Sequence, residues 1–175
     1  MPPGPLEQRV ALEDVDAATV SLVFHGPVRD AAHREDLALI TALVRKHLGD
    51  RLRNVLGATY HVDADLQTEP LDEYALVVSF QCDPARIDAL AAAAVGEIEA
   101  LRAGEGVTDR TPAGTTAIAW ATRIGDAVAN GEDLEAIAAC DAWTGTRTAE
   151  ALTAVAAEAL DASRRIVVLL DPSGR

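Results

Sequence analysis

Apolar residues follow two rhythms along this chain. In the first third Leu37, Ile40, Val44, Leu48, Leu52 and Val55 fall three or four positions apart, laying one apolar stripe along a helix from about Ala32 to Leu56. On both sides of it the spacing drops to two. Val20, Leu22 and Phe24 alternate with Thr19, Ser21 and His25, and Tyr60, Val62, Ala64 and Leu66 alternate with His61, Asp63, Asp65 and Gln67. A period of two turns one face toward a core and the other toward water, so both segments read as strands. Tyr74, Leu76, Val78 and Phe80 resume the rhythm after a Glu69-Pro70-Leu71-Asp72 turn, predicting an antiparallel hairpin. Residues 8–12 are a further short strand. Ile166 to Leu170 are apolar at every position, which predicts a strand in the sheet interior or covered on both faces.

Punctuation residues set the limits of these elements. Gly26-Pro27 ends a strand, and Gly57 sits where a left-handed residue closes a helix. Gly49, inside the long helix, costs up to about 1 kcal/mol against alanine, which points to a bend or a close contact there. Asp83-Pro84 opens a helix, with Asp83 as N-cap and Pro84 in the first turn, and Gly104 ends it after about Ala103. Thr111-Pro112 starts another helix that runs to Asn130, a short one covers Leu134 to Cys140, and a last begins near Thr148 and reaches about Asp161. The order β-β-α-β-β-α-α-α-α-β predicts an α+β fold, a two-layer sandwich of a mostly antiparallel sheet with helices packed on one face. Residues 1–6 are a proline-rich extended lead-in, and 7–172 form one domain.

Composition narrows the possibilities. At 175 residues the chain is long enough to bury roughly two-thirds of its unfolded surface in one core. Many of the apolar residues are alanine and few are aromatic, so that core is built mainly from helices packed closely through small side chains, with a modest sheet. A net charge of −13 opposes nucleic acid and anionic membrane surfaces as partners, since both require a basic face. Cys82 and Cys140 lie far apart and form no metal-binding or redox spacing, so free thiols in a reducing compartment are expected. No stretch reads as a signal peptide or a membrane span. The expectation is a cytoplasmic protein.

The most distinctive local feature is the junction Leu52-Arg53-Asn54-Val55-Leu56-Gly57-Ala58-Thr59-Tyr60, where the long helix gives way to a strand. It can place a cation and a phenol at one edge of the sheet, where an extended peptide could lie. With the block Val77-Val78-Ser79-Phe80-Gln81-Cys82-Asp83-Pro84 and the element order, this junction resembles the C-terminal type of domain in the pitrilysin/insulinase family of zinc metallopeptidases, over roughly residues 8 to 172. The resemblance implies one of several homologous α/β domains, arranged as two halves that close around a peptide. One half holds zinc through His-x-x-Glu-His; the other contributes an arginine and a tyrosine to the substrate. Carried over, these are Arg53 and Tyr60.

The four histidines of the sequence, His25, His33, His47 and His61, include no His-x-x-Glu-His. The zinc site needs two imidazoles one helical turn apart with an adjacent glutamate. The expectation is therefore a domain with no catalytic residue, metal or cofactor of its own. Zinc would sit on a partner, either an N-terminal half or a separate subunit, and the bound ligand would be a peptide. The compact fit of the pattern to both ends suits a domain excised at its borders or a natural small subunit. The alternative is a purely structural or assembly domain, in which Arg53 merely suits a helix C-terminus and Tyr60 caps the core. A third reading is an unrelated enzyme using His61 and Asp63, although ligands two apart on a strand stand about 6.6 Å from each other. His25 reads as a strand end, His33 as a loop residue, His47 as a boundary residue, and Trp120 and Trp143 as core or interface. Ser21, Ser79 and Ser163 lack a nucleophile elbow, and Gly104-Glu105-Gly106 lacks the Lys-Ser/Thr of a phosphate cradle.

Overall fold

The structure, a computed structural model, describes residues 5–11, 16–57, 61–69, 73–110, 120–121, 124–125, 128–129, 131, 134–135 and 146–172. Tyr60, the helix start at Thr111-Pro112, Cys140 and Trp143 lie outside them. Five strands form one sheet: β1 (Leu6–Ala11), β2 (Ala18–Pro27), β3 (Val62–Glu69), β4 (Glu73–Cys82) and β5 (Arg165–Asp171), in the order β1-β5-β2-β4-β3. Only β1 and β5 run parallel; the β2–β5, β2–β4 and β3–β4 ladders are antiparallel. The sheet is thus mostly antiparallel, as the sequence predicts, and the all-apolar last strand is an interior one. β1 and β3 are the edges.

The main helices are α1 (Ala31–Leu48), α2 (Ile87–Arg102) and α3 (Ala149–Ala159). On β2 the side chains of Ala18, Val20, Leu22 and Phe24 are fully buried while Ser21 and Val23 between them are half-buried. That alternation is the signature of helices covering one face. The stripe residues Leu37, Ile40, Val44, Leu48 and Leu52 all have zero exposure, and they share a single core with Leu76, Val78, Ile98, Leu152 and Leu169. Ala91, Ala94, Ala156 and Ala159 are buried on α2 and α3, so these helices pack through small side chains. Trp120 is half-buried. No described helix is long and apolar enough to cross a membrane.

The caps follow the sequence closely. Thr148 accepts from the Ala151 N–H at the start of α3, and Gly57 and Gly104 take φ of +55° and +91°. Asp83 also caps, accepting from the Ala85 N–H at 2.8 Å, but the turn it opens, Pro84–Arg86, is a 3-10 turn, and α2 starts only at Ile87. At Gly49 there is no close neighbour: nothing lies within 4 Å of where a Cβ would be. The helix changes its winding there, from α to π.

The N-terminal end of α1 is closed. Asp30 caps it, its Oδ1 accepting from the His33 N–H at 2.7 Å. His33 is not a loop residue: it lies in the first turn, 4% exposed, against Tyr74 in an edge-to-face contact with ring centroids 6.4 Å apart. Tyr74 is itself buried, and its hydroxyl donates to the Ala159 carbonyl at 3.2 Å. Opposite Tyr74 in the ladder is Gly26, and a Cβ there would stand 2.9 Å from both the Tyr74 ring and the Arg164 guanidinium. The glycine lets these side chains close over the strand at van der Waals distance.

Candidate functional site

The other end of α1 is built differently. Arg45, Lys46 and His47 occupy its last turn, where cations offset the partial negative charge of the helix terminus. From Gly49 to Val55 the backbone goes on as a π-helix, and at its end the Leu56 N–H donates to the Arg51 carbonyl five residues back, at 3.1 Å. Such wide turns are rare and concentrate at functional sites. Leu52 anchors the segment in the core, while Arg51 and Arg53 beside it are exposed. Gly57, at φ +55°, closes the segment.

A half-open pocket of about 280 Å³ lies where the π-helix faces the start of β3, lined by Arg45, Lys46, Gly49, Asp50, Arg53, His61 and Val62. Its walls carry three permanent cations and one carboxylate. Lys46 Nζ contacts Asp50 Oδ2 at 2.9 Å. This hydrogen bond, with the charges of Lys46, His47 and Arg53, holds the Asp50 carboxyl below the usual carboxylate range. The Arg45 guanidinium donates to the Ala64 carbonyl and to Asp65 Oδ1, the latter at 3.1 Å. On the core side, His47 Nδ1 stands 3.4 Å from Glu97 Oε1 of α2, so this boundary residue ties the two helices together. Among the described residues β3 is an edge strand, with β4 on one side of it and no ladder on the other.

Of the two residues singled out from the junction, Arg53 lies on this pocket, next to His61 and Val62. Tyr60 precedes them by one and two positions, but it falls outside the described residues. Arg45, Lys46 and Asp50 were not foreseen as site residues. A signal for them exists: four of the 15 cations in the sequence, including its only lysine, fall between Arg45 and Arg53 in an otherwise acidic protein.

His61 and Asp63 do meet, Nε2 to Oδ1 at 2.8 Å, but both side chains are more than half exposed. Among the described residues no three His, Cys, Asp or Glu converge in a way that would hold a metal ion. Together with the missing His-x-x-Glu-His, the donor set does not fit a zinc site of the protease kind. His25 lies within β2, half-buried, near its end. Cys82 is a free, buried thiol whose pKa burial pushes up, which makes it a poor nucleophile.

Comparison with known proteins places this geometry in a family. The family model described as the peptidase M16 inactive domain matches residues 2–110. The protein belongs to this family, the non-zinc-binding, C-terminal type of domain of the pitrilysin/insulinase proteases. No curated protein matches it by sequence. Among solved structures, a protease from Helicobacter pylori superposes with a TM-score of 0.74 at 16% identity, over 97% of this chain and 44% of that one. The periplasmic protease PqqL from Escherichia coli gives 0.64 at 17% identity, over 97% of this chain and 21% of that one. Pitrilysin gives 0.63 at 15% identity, over 98% of this chain and 20% of that one. At these identities the likeness is one of fold. The sequence spans less than half the length of each of these proteins. Membership also sets aside the reading of an unrelated enzyme built on His61 and Asp63.

Proposed function

We propose that this domain binds peptide and closes a protease chamber, positioning substrate for a zinc-bearing partner half rather than cutting it. The observation that supports this reading most directly is the place of Arg53. The residue that the helix-to-strand junction singles out stands on an open pocket beside an edge strand. Its guanidinium is a planar donor suited to peptide carbonyls, and the outer edge of β3 offers a backbone ladder. Tyr60, just ahead of β3 in sequence, would add a phenolic donor. The zinc, and the glutamate that activates its water, would belong to the partner, because this sequence has no His-x-x-Glu-His to supply them.

Two measurements test the reading. The isolated protein is expected to hold no stoichiometric zinc and to show no peptide hydrolysis; a metal-loaded, active preparation overturns the proposal. In the assembled protease, Arg53→Ala is expected to lower kcat/KM about 10- to 100-fold, the equivalent of losing a hydrogen bond to a charged donor at about 1.5–3 kcal/mol. Unchanged turnover would instead identify a domain that serves assembly alone.

A further inference from the structure

We infer that the β5 edge beneath β1 is an acceptor site for an extended polypeptide segment bearing a basic residue, a site that β1 fills in cis and that a segment of another protein takes in its place. It lies at the opposite edge of the sheet from the π-helix pocket and stands apart from the peptide-binding reading above. Three features carry it. First, little besides its ladder binds β1 to the fold. None of its six residues belongs to the core; five are exposed and Val10 is half-buried. An element without buried apolar contacts opens at low free-energy cost. Second, the strand beneath is a core strand. Val167, Leu169 and Asp171 of β5 are buried, and Ile166, Val168 and Leu170 are half-buried on the other face. When β1 lifts, β5 presents an open parallel edge flanked by apolar side chains, and an extended segment of matching pattern completes such an edge. Third, the edge selects charge. Asp171, at the end of β5, has a side chain only 2% exposed, and Asp88 stands in the first turn of α2. Both carboxylates accept from one guanidinium, that of Arg9, which lies opposite Leu169 in the ladder and reaches two residues further along to Asp171. A buried carboxylate deprived of its cation is strongly destabilising, so the edge favours a strand that brings a cation to that place. The fitting segment runs parallel to β5, with Arg or Lys at the place of Arg9 and apolar residues at those of Leu6 and Val10, beside Ile166 and Leu170.

The experiment uses the full-length protein, its Arg9→Gln variant and a fluorescent hexapeptide with the β1 sequence Leu-Glu-Gln-Arg-Val-Ala, capped at both ends. A twin peptide carries Gln for Arg. Arg9→Gln loosens the resident strand, so the Arg peptide is expected to bind the variant about tenfold tighter than the parent. It should also bind the variant about tenfold tighter than the twin does, the difference that a charge-assisted bond makes. Hydrogen exchange should show β1 amides of the parent exchanging faster than those of β4, and β5 amides of the variant slowing when the Arg peptide binds. Should the variant not fold, the parent decides: excess Arg peptide is expected to speed exchange in β1 while β5 stays protected, and the twin to do neither. Equal binding of the two peptides overturns the demand for a cation. Amides of β1 as slow as those of β4, or no peptide effect on either protein, overturn the exchangeable strand. A parent dimer that swaps β1, seen by sedimentation, makes the occupant a second copy and overturns the assignment to another protein. None of these outcomes bears on Arg53 or the pocket beside it.

Discussion

The two ends of α1 begin from the same chemistry and finish as opposites. Each is capped by a local signal, Asp30 at the start and, after the π-helical extension, Gly57 at the finish. Each meets one end of the β2–β4–β3 ladder. At the start, an aromatic ring, a buried imidazole and a glycine fill the space around Gly26, His33 and Tyr74. At the finish, the helix widens and leaves a pocket walled by long charged side chains. The difference teaches which part of the helix is fold and which is available for function. Close packing fills the space at one end, whereas the other is walled by long, largely exposed charged side chains.

The largest effect expected from this contrast is in stability. Tyr74→Ala should destabilise the protein by about 3–5 kcal/mol, through the cavity left by a buried ring and the loss of its bond to the Ala159 carbonyl. Arg53→Ala, on an exposed site, should stay within about 0.5 kcal/mol of the parent. Urea unfolding of both variants checks the pair. A comparable loss in Arg53→Ala would show that the open end is packed as firmly as the closed one, and the comparison would fail.

Caps offer a finer test. Asp30→Ala removes an acceptor for the His33 N–H and should cost about 1 kcal/mol. Gly57→Ala forces a Cβ into a left-handed backbone at φ +55° and should cost about 1–2 kcal/mol, although nothing lies near it to clash. Similar values from thermal unfolding would mean that the ends differ in their surroundings and not in how the helix is terminated.

These same residues explain how much could be read from the sequence. The stripe from Leu37 to Leu52, the strand alternation and the caps at Thr148, Gly57 and Gly104 are local signals, each set by a few neighbouring side chains, and the fold they spell out is the fold observed. The α+β class and the family resemblance followed from that regularity. What escaped depended on contacts distant in sequence. A glycine inside an apolar stripe weakens the helix without saying how its winding changes, so the π-helix from Gly49 was not legible. His33 read as a loop residue because its burial is imposed by Tyr74, forty-one positions away. Of the site, Arg53 was legible through the junction motif. Arg45, Lys46 and Asp50 were visible only as a local excess of basic charge, which by itself is more often a solvated helix face than a pocket. Only the return of β3 beside the π-helix turns that excess into walls.

The smallest effect is a slope rather than a loss, and it isolates the closed end. His33 Nδ1 accepts the Arg29 N–H at 3.2 Å, so the neutral ring carries its proton on Nε2, which is buried with no partner among the described residues. Adding a second proton would break that bond and bury a cation. Burial first, and then the positive charge of Arg29, hold the His33 pKa below its ordinary 6.5, against opposing pulls from Glu158, Asp30 and Asp36. The folded state therefore binds fewer protons than the unfolded one. The stability that His33 contributes is fully present above pH 6.5 and is lost as the pH falls through 6.5 toward the lower folded value. The depressed carboxyls of Asp50 and Asp161 act the same way, but only as the pH approaches their ordinary 3.8. At the alkaline side Tyr74, pushed up to about 12 by burial, reverses the sign: stability falls as the pH rises above 10, where the unfolded phenol ionises first. Unfolding midpoints measured from about pH 8 to about pH 5 should decline in the parent and flatten in His33→Gln, whatever the variant's absolute stability. A parallel decline in both would move the titration away from the closed end, and the contrast between the two ends of α1 would then rest on packing alone.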